Sequence, residues 1–528
     1  MQEENRNNTY NTLHHWQSFR LKLVLEGIIV GALAGLLVVF YRLSLQYVEG
    51  LTQKIYSLQL QKPWLIPIWL IILLICSYIV GIMVKRDPMI SGSGIPQVEG
   101  ILLGRLSANW WKVIIGKFIG GVISIGAGLS LGREGPSVQL GASVGQGFSK
   151  VFKRIKIEEK YLMTSGASAG LAAAFNAPLA GAIFALEEVH KNFSPLVLLS
   201  ATSAAVTADF ISKEFFGLKP VFQFKNLSEL PLKYYIYVII LGILLGAFGA
   251  FYNFILLKTQ KLYLKQKWLS VQFRPSIPFI MAGILGLILP QVLGGGNELV
   301  GSLIEDNIML KFLIVLLVAK FIFSMVSFGS GAPGGIFFPL LVIGALTGAL
   351  YGKILISVFN FDSIYMNNFI ILGMAGYFTA IVRAPITGCI LITEMTGSFT
   401  HLLSLSIVCI IAYIVADLLK SKPVYESLLE RALKNNSTEY EGECNAKNLI
   451  EVAIHHGSCL EGKMVKQFKW PSNCLLVAIK RGGNEIIPKG DTAIYAGDYL
   501  VILTNEENSA YVRESLSVAS ERCIIENY

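Results

Sequence analysis

Long apolar runs alternate with short polar ones over most of the chain. Trp64 to Val84 carries no charge, nor does Tyr234 to Leu257 or His401 to Ala416, and Leu23 to Phe40 is nearly as apolar. A helix needs about 20 apolar residues to cross the hydrocarbon core, so these runs predict a polytopic helical membrane domain. After about Tyr425 the pattern changes. "ESLLERALKNNSTEYEGECNAKN" is polar and charged and reads as a linker. Beyond it, "NLIEVAIHHG", "CLLVAIKR" and "GDYLVILTN" predict strands, while "GKMVKQFKW" and "NSAYVRESL" predict helices. That order predicts a small α+β lobe. The expected division is a polar N-terminus over 1–20, a membrane domain over 21–435, a linker over 436–448 and the lobe over 449–528.

The membrane part repeats itself. "GREGPSVQLGASVG" aligns with "GIFFPLLVIGALTG", matching Gly132 to Gly335, Pro136 to Pro339, Gly141 to Gly344 and Gly145 to Gly348 at one offset (335 − 132 = 203). "GASAGLAAAFNAPLAGAIFALEEV" aligns with "GMAGYFTAIVRAPITGCILITEMT" at nearly the same offset (384 − 177 = 207), pairing Pro178 with Pro385 and Glu187 with Glu394. The halves run over roughly 21–215 and 230–425. Duplication of this kind marks transporter folds, in which interrupted helices of two halves meet near the midplane. It also sorts the acids. Glu187 and Glu394 match one another and read as structural, capping a helix end or pairing with a buried donor, whereas Glu134 aligns with Phe337 and Glu188 with Met395. Directional chemistry is expected where the symmetry breaks.

Composition agrees with a membrane chain: 53% of the 528 residues are hydrophobic and 15% charged. The net charge of +9 does not point to nucleic acid, because many basic residues sit in short loops such as "SKVFKRIKIEEK" (149–160) and "VKRD" (84–87). Positive-inside bias accounts for them and makes those loops and both termini cytoplasmic, most simply at a bacterial plasma membrane. Seven cysteines without a CxxC pair predict reduced thiols, and the six histidines lack metal-ligand spacing, so neither a metal nor another cofactor is expected. The start is long and polar before the first apolar run, without a signal-peptide pattern.

Three segments broken by glycine and proline carry the candidate chemistry: "SGSGIPQVEG" (91–100), "GREGP" (132–136) and "GAPGGIFFP" (331–339). An interrupted helix exposes backbone N–H groups at the start of its second part. Those groups and the positive end of the helix dipole attract an anion without placing a full charge in the membrane, although packing kinks would share the same spacing. "GASVG" (141–145) and "GASAG" (166–170) fit the elbow of serine hydrolases, but they lie in apolar helical sequence and read as G-x-x-x-G packing faces, so no enzyme is expected. "GAGLSLG" (126–132) lacks the βαβ context of a dinucleotide fingerprint.

GSGIP (Gly92 to Pro96), GREGP (Gly132 to Pro136) and GxFxP (Gly335 to Pro339), followed by "KPVY" at Lys422 to Tyr425, resemble the signature elements of the CLC family of chloride channels and chloride/proton exchangers, in order and spacing, over roughly residues 20 to 435. The resemblance implies an all-α polytopic fold with an inverted internal repeat, assembled as a homodimer with one anion pathway per subunit. It implies that Ser93 and Tyr425 offer hydroxyls to chloride and that the backbone amides of Ile336 and Phe337 complete its shell. Gly92, Gly94, Pro96, Arg133, Gly135, Pro136, Gly335 and Pro339 would shape the supporting loops. Glu134 would be the gating acid: as a carboxylate it competes with chloride, and when neutral it swings away or carries a proton. Glu188, in "FALEEVHKNF", matches the position through which family exchangers pass protons to the interior, where many family channels have a neutral residue. Chloride/proton exchange is therefore expected over passive conduction, with a solvated helix-end charge as the plainer reading of Glu188.

The terminal lobe resembles the TrkA C-terminal domain of regulators of potassium conductance, through "SCLEGKMVKQF" and "CLLVAIKRGGNEIIPKGDTAIYAGDYLVIL". Such lobes pair with one another, and in some relatives a nucleotide such as cyclic di-AMP binds between them; a dimer clamp and a sensor are both open here. A potassium pathway is disfavoured because no TVGYG-like filter is present. A sensor with vestigial transport is disfavoured because Ser93, Glu134, Glu188 and Tyr425 are all intact.

Overall fold

A computed structural model describes residues 2–436 and 447–520, except 192, 223, 225–226, 267–268, 306–307, 472–473, 483, 506–511, 513–514 and 517–518; for 2–20, 305, 434–436, 447–448 and 505 it describes the backbone alone. The chain divides into two compact units, Met1–Asn435 and Asn436–Tyr528.

Seventeen helices are described. The first eight are α1 (Gln2–Gln61), α2 (Leu65–Arg86), α3 (Ile95–Leu102), α4 (Trp110–Gly126), α5 (Glu134–Val151), α6 (Lys156–Phe175), α7 (Pro178–Phe184) and α8 (Pro195–Phe216). The next eight are α9 (Tyr235–Lys265), α10 (Ser276–Ile288), α11 (Asn297–Glu305), α12 (Leu310–Gly329), α13 (Phe337–Phe359), α14 (Met366–Val382), α15 (Pro385–Thr396) and α16 (Leu402–Leu418), and α17 (Val424–Asn436) closes the unit. Each of the first eight has its counterpart eight places later, so the repeat expected from two glycine-rich alignments extends over the whole membrane unit. Among the described residues, eight helices are long and apolar enough to span a membrane. Helix α1 continues through the polar N-terminus to Gln2.

The interruptions follow from the residues. Helix α6 ends at Asn176 in the left-handed conformation (φ 53°), and α14 at Arg383 (φ 72°). Each is followed by alanine and then by proline at the first helical position of α7 and α15, where the missing N–H costs nothing. A buried arginine of α1 holds the first break: Arg42 donates to Asn176 Oδ1 (2.8 Å) and Ser212 Oγ (2.7 Å). The G-x-x-x-G faces pack as expected. Helix α5 meets α6 with Gly141 against the Gly166 carbonyl and Gly166 against the Gly141 carbonyl, so near that a side chain at either would collide with backbone. Helices α13 and α14 repeat this through Gly344 and Gly373.

In the second unit four antiparallel strands, β1 (Lys447–Ala453), β2 (Cys474–Arg481), β3 (Asn484–Ile486) and β4 (Tyr499–Asn505), form a sheet in the order β1-β4-β2-β3. Ile450, Val452, Ile479, Leu500 and Ile502 bury one face. Strands β1, β2 and β4 fall where the sequence predicts them, the short β3 has no counterpart among the predicted strands, and "GKMVKQFKW" is not an α-helix: it forms a single 3₁₀ turn, Val465–Gln467. The N–H groups of Val465 and Lys466 donate to Thr492 and Gly490 across the lobe, which diverts them from helical partners. Most of "NSAYVRESL" lies outside the described residues. Cys76, Cys389, Cys409 and Cys474 are free thiols, but Cys459 is disulfide-bonded, against the expectation of reduced thiols; spacing alone carries no pairing information.

Candidate functional site

The three glycine- and proline-broken segments are tied to each other in series. Gly132 and Gly335 exchange N–H···O bonds of 2.7 Å in both directions, so the two repeats meet head to head one residue before the caps of α5 and α13. The 331–339 segment also binds the first one: Gly334 donates to the Gly92 carbonyl (2.9 Å) and Gly92 to the Gly331 carbonyl (3.3 Å). Ser91 Oγ also bonds Gly331 O. Gly94, at φ 96°, then turns the chain into α3 with proline in its first turn, a backbone conformation that favours glycine. Helices α3, α5 and α13 therefore start close together. None of their cap residues Gly94, Arg133 and Ile336 satisfies the first turn with a side chain. Such starts present unsatisfied N–H groups and partial positive charge.

The predicted anion ligands converge there. Ser93 Oγ lies against the Gly135 backbone, and Gly135 against Gly335. Tyr425, the second residue of α17, is fully buried and its hydroxyl faces Ser93. Neither hydroxyl makes a hydrogen bond of normal geometry, so both retain a donor in a buried place. Ile336 and Phe337 are buried at the start of α13, and Phe337 is ringed by Phe175, Phe184 and Phe378.

Glu134 occupies the first position of α5, fully buried, with both carboxyl oxygens free of a conventional hydrogen bond. It folds over Gly132 beside the Phe338 N–H, where a carboxylate takes the place an anion would take at a helix start. Its neighbour Arg133 stands 3.8 Å away from Nε to Oε1, too long for a hydrogen bond. Glu188 stands in the π-helical turn Ala185–His190 that prolongs α7. The plainer reading of it as a solvated charge does not hold: Glu188 is 4% exposed and its Oε1 has no hydrogen-bond partner. Tyr425 carries the electrostatic influence of both Glu188 and Glu134.

Glu187 and Glu394 cap each other's repeat. Glu187 accepts from the N–H groups of Ile386 (3.2 Å) and Thr387 (2.8 Å) at the start of α15, and Glu394 from Leu179 (3.1 Å) and Ala180 (2.7 Å) at the start of α7.

Sequence reasoning missed several residues that build this site. Lys117 is fully buried and donates to the carbonyls of Ile90 (3.0 Å) and Gly92 (2.6 Å), anchoring the loop that carries Ser93. Its repeat mate Lys320 does the same for Val292 (2.9 Å) and Gly294 (2.7 Å). The signal was there: "KFI" at 117–119 recurs at 320–322, again 203 residues on. Glu99, 2% exposed, pairs with Lys191 (2.5 Å), and both act on Glu188.

Residues 76–417 match the model of the family described as "Voltage gated chloride channel", and residues 449–517 match that of the TrkA-C domain. The H(+)/Cl(-) exchange transporter ClcA of Klebsiella pneumoniae subsp. pneumoniae is 34% identical over 432 residues, 79% of this chain and 90% of the relative. That of Citrobacter koseri is 33% identical with the same coverage. Among solved structures, a slow cyanobacterial Cl-/H+ antiporter is 32% identical with a TM-score of 0.74, covering 79% of this chain and 99% of that one. A eukaryotic CLC transporter at 22% identity and TM-score 0.67, covering 79% and 74% of the two chains, shares the fold.

Proposed function

The chain belongs to the voltage-gated chloride channel family, a multi-pass membrane family, and from that premise we propose that it is an antiporter moving chloride across the membrane in exchange for protons. The observation that carries this reading is the pair of buried acids, Glu134 at the meeting of the helix starts and Glu188 in the π-helical turn that prolongs α7, with the buried Tyr425 hydroxyl facing Ser93 beside the helix starts. Relatives named as H(+)/Cl(-) exchangers support it over passive conduction.

Chloride lies between the hydroxyls of Ser93 and Tyr425 and the backbone N–H groups of Ile336 and Phe337. These donors are dipoles, so they hold the ion loosely enough for it to leave again. The Glu134 carboxylate competes for the same helix-start field. Protonation removes its charge, chloride takes the place, and the neutral side chain carries the proton toward one face while Glu188 serves the other. Gly92, Gly94, Pro96, Gly135, Pro136, Gly335 and Pro339 hold the N–H groups in register.

The face that carries the basic loop 149–160 is the cytoplasmic one in this reading, by charge bias, in a bacterial plasma membrane. Two copies assemble, each with its own pathway, and the TrkA-C lobes serve as a regulatory pair that takes a small nucleotide. Equilibrium dialysis of the intact protein with cyclic di-AMP tests the last point.

The exchange reading is tested on liposomes holding the wild type, Glu134→Gln or Glu188→Gln. Glu188→Gln is expected to keep chloride flux and lose proton movement, and Glu134→Gln to move chloride without regard to pH. Proton movement that survives Glu188→Gln intact would remove Glu188 from the route.

A further inference from the structure

Helix α1 crosses the unit from the basic face to the opposite one. Some twenty residues along it Lys22 pairs with Glu158 (3.1 Å) and Glu26 with Arg154, both partners lying in the basic segment 149–160 across the end of α5 and the start of α6. Glu49 is 23 residues beyond Glu26 (49 − 26), about 35 Å along a helix rising 1.5 Å per residue. It therefore belongs to the opposite, outer face. Helix α5 makes the same crossing, from Glu134 to the basic loop, so Glu134 lies on the outer side of the unit as well.

Around Glu49 the second repeat supplies a ladder of groups that grows more buried toward Glu134. Glu298, at the start of α11, is exposed and accepts from Gln53 Nε2 at 2.8 and 3.0 Å. Glu49 is half-buried and lies over Gly294, where an added methyl group would sit 3.6 Å from Oε1. Lys320 of α12 holds the Gly294 carbonyl. Gly294 donates to the Gly128 carbonyl (2.9 Å) and Gly295 lies against Leu131 and Phe338, so Glu49 sits over the segment that leads into Glu134, with Glu298, Lys320 and Arg133 among the charged groups of its surroundings. Tyr41, two turns back on α1, is wholly buried with an unpartnered hydroxyl, and both Glu134 and Glu49 act on it. An orphaned hydroxyl inside the membrane is costly unless something transient uses it.

We propose that Glu49 is a proton-transfer residue between Glu134 and the outer solution, with the Tyr41 hydroxyl lining the step between the two acids. The proposal rests on the exchange reading. The proton leaves the Glu134 carboxyl, which becomes a carboxylate free to compete with chloride, and joins the Glu49 carboxylate, which becomes the neutral acid. Glu49 then yields it to water beside the exposed Glu298; uptake from outside runs the same steps in reverse. Arg133, 3.8 Å from Glu134, steadies its carboxylate once the proton has left.

The test uses the full chain in liposomes, comparing wild type, Glu49→Gln, Glu49→Asp, Glu134→Gln and the Glu134→Gln/Glu49→Gln pair. Chloride-driven proton movement is expected to fall about tenfold in Glu49→Gln, less than a sole acid–base group would give because water offers a bypass. Glu49→Asp should restore most of it. Chloride flux through Glu134→Gln, which needs no proton, should be the same with and without Glu49→Gln. An unchanged proton rate in Glu49→Gln overturns the proposal, and so does a slower double variant, which would mean that Glu49 only holds structure. A wild type that moves chloride without protons removes the exchange reading and the proposal together, and is told apart from the other failures by the wild-type trace alone.

Discussion

The repeated lysines supply an experiment with an internal control. Lys117 and Lys320 sit at matched places, and each donates to two buried carbonyls of a glycine-containing loop, but only the Lys117 loop leads into Ser93. Replacing either by methionine keeps the volume of the stem and orphans two carbonyls. At about 1–3 kcal/mol for each unsatisfied buried group, each variant should lose roughly 2–6 kcal/mol of stability, read as comparable drops in the thermal unfolding midpoint in detergent. Chloride affinity should separate them. With its anchor gone, the loop at Gly92 no longer fixes the Ser93 hydroxyl, and a hydrogen bond to a charged partner is worth about 1.5–3 kcal/mol. That corresponds to about 10- to 150-fold weaker chloride binding by titration calorimetry for Lys117→Met, against an unchanged value for Lys320→Met. Equal losses of chloride affinity in the two variants, or none in Lys117→Met, would refute the claim that Lys117 positions the anion loop.

Three further outcomes follow from the same contacts. Glu187→Ala frees two N–H groups and the Thr387 hydroxyl, whereas Glu394→Ala frees two N–H groups, so thermal melts should show both destabilised by about 2–6 kcal/mol with Glu187→Ala the worse. Gly141→Leu or Gly344→Leu drives a side chain into the facing helix backbone and should abolish the folded, monodisperse protein on size-exclusion chromatography, while Gly104→Leu, with open space around it, should not do so by collision. In the lobe, burial works to raise the Asp498 carboxyl, but the two bonds from Arg481 and the Tyr495 N–H outweigh it and hold Asp498 below the usual carboxylate range. A depressed acid stabilises fully above its unfolded value, about 3.9, and the contribution disappears as pH falls through the lower folded value. Lobe stability should therefore be insensitive to this group from neutral pH to about 5 and decline below about 4, and Asp498→Asn should remove that acid-dependent part of the decline in pH-resolved hydrogen exchange.

Much of the membrane unit was legible because the bilayer dictates its pattern. Uncharged runs of helical length marked several spans, glycine and proline marked the breaks, and the offsets of 203 and 207 residues paired α5 with α13 and α7 with α15. The capping roles of Glu187 and Glu394 could be read from their matching places before the donors were known. What was not legible was pairing across long separations. Lys191 meets Glu99 from the far end of another helix, Arg42 meets Asn176 and Ser212, and Glu49 lies over Gly294, none of which leaves a periodic trace. In the lobe β1, β2 and β4 were legible from their apolar residues, whereas the three-residue β3, Asn484–Ile486, carries no such run. The segment at Val465 was misread because its N–H groups are claimed by Gly490 and Thr492, partners that local propensity cannot see.

In the exchange reading chloride and protons move in opposite directions through one coupled cycle. The direct measurement is external pH recorded over liposomes loaded with high chloride, diluted into low chloride at equal pH, with the membrane potential clamped by potassium and valinomycin. Chloride efflux is expected to drive protons into the vesicles against no initial gradient, so the outside turns alkaline, and the signal is expected to disappear in Glu188→Gln. Chloride efflux from the wild type with the external pH flat would contradict it.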